Sequence, residues 1–263
     1  MKNNILIIPA SLSALQTLLQ IFNSGFSSVQ ESLLNFLSHL LITGILTVYL
    51  SYSELHKGPR YFAIFWISCI FGSFNNLIEA YLFDVTSQQD TLKLMEFSLV
   101  NSLVVTFVLG RFVPVNPSPS ATRQHRKWFS WAGRILAGDF LYTFLYGLAG
   151  FILVTVYPQM MDFYEGKIPD GQLVLLTQIG FRGFIFTFTA LLITQTTNGS
   201  TMRIAILTGA MLSLIGGIAP LVNVNAFMPW VVRFGHLFEV GISNFLFGFL
   251  AALMMNTKKT SVS

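Results

Sequence analysis

Eight apolar runs succeed one another along the chain, each near the ~20 residues that a helix needs to cross a hydrocarbon core. They fall at 5–22, 32–53, 60–83, 93–113, 130–156, 172–196, 201–222 and 228–255. Turn chemistry separates them: Gly58-Pro59 after the second, Pro114, Pro117 and Pro119 after the fourth, Pro158 and Pro169 after the fifth, Asn198-Gly199 before the seventh. The pattern predicts an all-α, polytopic transmembrane bundle of eight helices in one integral membrane domain, residues 1–263. The first run is the weakest. It contains Pro9, and Ser13, Gln16, Thr17 and Gln20 form one polar stripe at helical spacing. Such a stripe suits a helix facing the bundle interior. The alternatives, leaving seven spans, are an interfacial helix or a cleaved signal, although no A-x-A site follows the run.

Composition agrees. Hydrophobic residues make up 53% of the 263 and charged residues 10%, against roughly 25% charged in soluble domains. A mean hydropathy of +0.65 excludes a soluble globule with one anchor. The single cysteine, Cys69, makes neither an intramolecular disulfide nor a cysteine-based metal site.

The net charge of +4 is explained by its placement. Lys2, Lys57, Arg60, Arg111, Arg123, Arg126, Lys127, Arg134, Arg203, Lys258 and Lys259 fall on one side of an eight-span bundle. Only Lys93 and Lys167 fall in loops on the other, beside Asp84, Asp90, Asp162, Glu165 and Asp170. The positive-inside rule then predicts that both termini are cytoplasmic. The basic loop at 123–127 is read as a topology determinant touching anionic lipid, and no nucleic-acid partner is expected.

The candidate chemistry lies in ionisable residues inside the apolar runs, where a charge costs at least ~2.5 kcal/mol on insertion scales. In the last run Arg233, His236, Glu239 and Ser243 share one face; in the third, Asn75, Asn76 and Glu79 lie within about a turn. At ~1.5 Å per residue, Glu79 is roughly 6 Å from the outer end, Arg233 ~8 Å, Asn75, Asn76 and His236 ~12 Å, and Arg182 and Glu239 ~16 Å. Gln178 precedes Arg182 by one turn, and His39 and Asn101 also lie in the outer half. Pairing by depth predicts Glu79 with Arg233 and Glu239 with Arg182, leaving His236 free to titrate. Asp139, in the inner half, has Tyr142 one turn away as its expected partner and Arg134 at the edge. The bland reading of this layer is two buried ion pairs and an amide ladder that set helix register.

His236-x-x-Glu239 has the spacing of a metal-binding pair, which Glu79 and His39 would have to complete. No second such motif occurs at depth, so no metal is assigned and a His–Glu proton relay is preferred. No cofactor motif is present: there is no Walker A loop, no G-x-G-x-x-G, no G-x-S-x-G and no histidine box. Gly241, Gly248 and Ala252, and Gly133, Gly138, Gly147 and Gly150, form small-residue faces read as packing within one chain, and Gly216-Gly217 with Pro220 predicts a disturbed helix near its outer end. Phe74-x-Asn76-Leu77-x-Glu79 echoes Phe234-x-His236-Leu237-x-Glu239, a short match in antiparallel segments.

The stretches from Tyr146 to Phe186 and from Arg233 to Met254, with NNLIEA at 75–80, resemble a group of uncharacterised bacterial multi-pass inner-membrane proteins. The resemblance implies a bacterial inner membrane and no particular substrate. Three readings stay open. One is a small transporter or solute-binding membrane protein, its outer cavity lined by Glu79, Asn75, Asn76, Arg182, His236 and Glu239. Another is an intramembrane enzyme on a lipid or lipid-linked substrate, with His236 as base, Glu239 orienting it and Arg182 holding a head group. The last is a structural or assembly protein. Besides the bilayer, the expected partner is a small-molecule or lipid ligand.

Overall fold

The computed structural model describes residues 4–26, 28–115, 126–167, 170–223 and 228–257. Lys2, Pro117, Pro119, Arg123, His125, Pro169, Lys258 and Lys259 lie outside them. The helices are α1 (Asn4–Ser24), α2 (Val29–Tyr52), α3 (Lys57–Leu82), α4 (Gln88–Phe112), α5 (Trp128–Val156), the short α6 (Gln159–Tyr164), α7 (Gly171–Thr196), α8 (Thr201–Val222) and α9 (Trp230–Met255). Eight of them, all but α6, are long and apolar enough to cross a membrane. The chain is an all-α, multi-pass membrane bundle.

Several helices begin earlier than the apolar runs because polar residues cap their first turns. The Ser28 hydroxyl accepts the Glu31 N–H at 3.1 Å, and the Ser87 hydroxyl accepts the Asp90 N–H at 3.1 Å. These caps pull α2 back to Val29 and α4 back to Gln88. Pro59 does not break the chain before α3. It sits in the first turn, where its missing N–H leaves no bond unmade.

The polar stripe of α1 faces inward. Ser13 and Thr43 share a 2.9 Å hydroxyl bond, Gln16 Nε2 donates to Asn101 Oδ1 at 3.1 Å, and Gln20 bonds both His39 Nε2 (3.1 Å) and Asn223 Oδ1 (3.3 Å). With no water inside lipid, such bonds are the cheapest way to hold a polar helix in place.

Helices α8 and α9 approach most closely, and glycine is the reason. A Cβ on Gly248 would stand 2.9 Å from the Gly209 Cα and 2.9 Å from the Thr208 carbonyl oxygen. Ser213 Oγ then stitches the seam by donating to the Gly241 carbonyl at 2.7 Å. Lipid gives apolar helices no reason to associate, so close backbone approach carries the packing. Gly248→Ala is expected to lose about 1–3 kcal/mol by overpacking, read as a lowered unfolding midpoint in detergent.

Arginines at the basic end close helix C-termini. Arg60 donates to the Val113 carbonyl at 2.8 Å beyond α4; Arg126 (2.9 Å, to Asn256) and Arg134 (to Met254) do the same for α9. They therefore complement the helix dipoles as well as favouring one side of a membrane. Three spans carry a wide π-type turn: Trp66–Phe74 in α3, Gln178–Arg182 in α7 and Leu214–Ile218 in α8. The last holds Gly216-Gly217, where the sequence predicts a disturbed helix.

Candidate functional site

Two of the π turns deliver the central ion pair. The turn in α3 ends just before Asn75, and the turn in α7 ends at Arg182 itself. Extra backbone at such turns re-aims the side chains that follow. The Arg182 guanidinium forms an ion pair with Glu79, and its Nε donates to Asn75 Oδ1 at 3.1 Å. Gln178 Oε1 lies 3.5 Å from the same guanidinium. Arg182 is 4% exposed and Glu79 27%, so Glu79 is the partner open to the surroundings. Aromatic rings close over the cation, with Tyr142, Tyr146 and Phe186 centroids 6.0, 5.6 and 5.8 Å from it. Tyr142 in turn stacks on Phe186 at 4.2 Å.

Beside it, on α9, His236 Nδ1 lies 2.5 Å from Glu239 Oε2, and His236 Nε2 lies 2.9 Å from the Tyr164 hydroxyl. Tyr164 closes α6, the short helix over this end of the bundle. Burial, then the charges of Glu79 and Glu239, push the Tyr164 phenol above its ordinary range. It therefore keeps its proton, and its hydroxyl can serve Nε2 as donor or as acceptor. A neutral imidazole that accepts from it at Nε2 carries its own proton on Nδ1 and donates it to Glu239. If Nε2 takes up a proton, the hydroxyl rotates from donor to acceptor, so Tyr164, His236 and Glu239 form a continuous relay.

The pairing by depth is therefore wrong in both parts. Glu79 takes Arg182, Glu239 takes His236, and His236 is not free. Arg233 turns instead to the carbonyls of Asn223 (3.0 Å) and Leu221 (3.5 Å), closing the C-terminus of α8, with its guanidinium 5.3 Å from the Trp230 ring. Asn76 bonds locally, to the Gly72 carbonyl at 3.3 Å and to Asn75. His39 belongs to the Gln20–Asn223 chain on the α1 side, so it does not join Glu79, His236 and Glu239 as a metal set. Asp139 is not bonded to Tyr142 either, and its Oδ1 is buried without a hydrogen-bond partner.

The two pairs are neighbours. Helix α7 packs against α3, α5 and α9, which brings Glu79, Arg182 and the α5 tyrosines beside the α9 pair. Tyr142 lies within electrostatic reach of Glu79, Arg182, Glu239 and Asp139 together. A crevice too narrow to admit a water molecule lies between α3 and the start of α7, lined by Glu79, Phe83, Leu173, Thr177 and Gln178. A wider depression lies against Tyr164, Asp162 and Glu165. The sequence reading missed Tyr146 and Tyr164 as site residues. Tyr142 and Tyr146, four apart on α5, had a spacing that marks one face; Tyr164 sits in a loop between hydropathy peaks and gave no signal. Compared with family models, curated proteins and solved structures, the chain matches none of them.

Proposed function

We propose that this protein is a small proton-linked transporter or solute-binding membrane protein whose site lies in the half of the bilayer nearer the acidic loops. In this reading those loops face outward from a bacterial inner membrane, and both termini are cytoplasmic, in keeping with the distribution of Lys and Arg. One observation carries it: two carboxylates with different partners, Glu79 on a guanidinium and Glu239 on an imidazole, lie under one set of tyrosines. A pair of that kind lets a proton and an anionic or zwitterionic solute compete for the same charges. Glu79 holds Arg182 until a solute carboxylate takes its place, and the His236–Glu239 pair takes or gives the coupled proton.

The test is proton flux into liposomes carrying the purified protein and a pH-sensitive dye, with amino acids, small carboxylates and sugars offered in turn. Wild type is expected to acidify the lumen with one of these classes, and Glu79→Gln and Glu239→Gln to abolish the response while still folding, Glu79→Gln with a lowered unfolding midpoint because it strands the buried Arg182. Normal flux in both variants would end this reading. The geometry of a base oriented by a carboxylate also suits the enzyme reading, but the nitrogen that would take a substrate proton is bonded to Tyr164.

A further inference from the structure

Asp139 stands apart from both ion pairs, and its Oδ1 is buried within a span without a hydrogen-bond partner. It lies on α5, where the buried residues are Gly138 and Tyr142. Its Oδ1 presses on Gly183 of α7 so closely that a Cβ there would stand 1.8 Å away. One turn further along α7, Thr187 is fully buried and its hydroxyl has no hydrogen-bond partner. Among the described residues Thr194 on the same helix and Thr106 on α4 share that state, while others do not. Thr189, Thr197 and Thr208 each donate to the carbonyl four residues back, at 2.6, 2.7 and 2.8 Å. The Thr187 hydroxyl instead lies against Gly138, where a Cβ would be 3.1 Å from its oxygen. Carboxyl on glycine and hydroxyl on glycine, the two helices interlock closely here.

The charges around this seam are already committed. On α5, Arg134 is bound to the Met254 carbonyl, and Tyr142 and Tyr146 cover Arg182. On α7, Arg182 is paired with Glu79; on α9, Glu239 is paired with His236, and Met255 brings an apolar methyl to Gly138. A carboxylate with neither cation nor donor is not sustained as an anion at such a place. A carboxylic acid is, because the neutral form carries no charge to be stripped of its solvent.

We propose that Asp139, packed on Gly183, is a second proton-binding site, lying toward the basic side and reached from the Glu79–Arg182 pair past Tyr142. Its place on a translocation path rests on the transport reading; its protonation does not. The step is a plain proton transfer: the carboxylate oxygen forms an O–H bond with a proton delivered as hydronium from the aqueous phase, which leaves as water.

The test is infrared absorption of the purified protein titrated across neutral pH, with wild type also grown on side-chain ¹³C-carboxyl aspartate. Asp139 is the one aspartate within a span; Asp84, Asp90, Asp162 and Asp170 are in loops or a first turn. A protonated-carboxyl band at neutral pH is expected. It should shift with labelled aspartate, vanish in Asp139→Asn and persist in Glu79→Gln and Glu239→Gln. The labelled wild type keeps the question open to refutation even if Asp139→Asn fails to fold. A band insensitive to the label, or no band, would overturn the site. A band that is lost in Asp139→Asn while that variant's proton flux stays normal would overturn its place on the path. Loss of flux in neither glutamate variant, with the band intact, would count against the transport reading alone.

Discussion

Arg182→Ala is expected to destabilise the protein by about 3–5 kcal/mol, the cost of stranding one member of a buried ion pair. The guanidinium serves three acceptors at once: the Glu79 carboxylate, the Asn75 amide oxygen and, at longer range, Gln178. Removing it leaves a carboxylate and a fully buried amide oxygen without their donor, and opens a gap beneath Tyr142, Tyr146 and Phe186. Arg182→Ala with Glu79→Ala should therefore be more stable than Arg182→Ala alone, since the second change removes the stranded charge. Arg182→Lys should rescue poorly, because a compact ammonium cannot reproduce the guanidinium fork that reaches Glu79 and Asn75 together. Unfolding in mixed micelles, run as a double-mutant cycle, measures the coupling. If Arg182→Ala costs no more than the double variant, the pair is not what holds α3 to α7.

What was readable in the sequence, and what was not, divides along the reach of a side chain. Hydropathy averages over ~20 residues, so all eight spans were legible to within a few residues at each end. The departures, at Val29 and Gln88, come from caps whose polar residues hydropathy discards. The polar residues at depth were legible for the same reason, as exceptions to an apolar run. Their partners were not. Depth was estimated along the helix axis, and it put Glu79 and Arg182 roughly 10 Å apart. Helical side chains lean toward their own N-terminus. Because α3 and α7 run in opposite directions, Glu79 leans inward and Arg182 leans outward, and the gap closes. Arg182 and Glu239, equal in depth, lie on helices that run the same way, so their side chains lean in parallel. His236, one turn toward the N-terminus of α9, is where Glu239 already points. The π turns shift register again, and no hydropathy window reveals them. Asp139 was legible as an oddity, while its close seat on Gly183 depends on another helix.

Gly183→Ala is the second large effect, about 3 kcal/mol, the upper end of what overpacking costs. The added methyl would stand 1.8 Å from Asp139 Oδ1, 3.0 Å from its Cγ and 2.8 Å from the Gln178 carbonyl oxygen. A flexible side chain alone could swing aside, but the carbonyl belongs to the π turn that aims Arg182, so the backbone has to move as well. The expected result is a lower unfolding midpoint and a weakened Glu79–Arg182 coupling in the same cycle. Gly147→Ala on α5 is the control. A Cβ there meets nothing within 4 Å, and alanine is the better helix former by ~1 kcal/mol, so that variant should be neutral or slightly stabilised. Asp139→Ala added to Gly183→Ala should restore part of the loss, because it removes the carboxyl oxygen while leaving the carbonyl clash. Full recovery would place the whole strain on the carboxyl; no recovery would mean that Asp139 does not rest on Gly183, and the seam holding the second proton site would have to be redrawn.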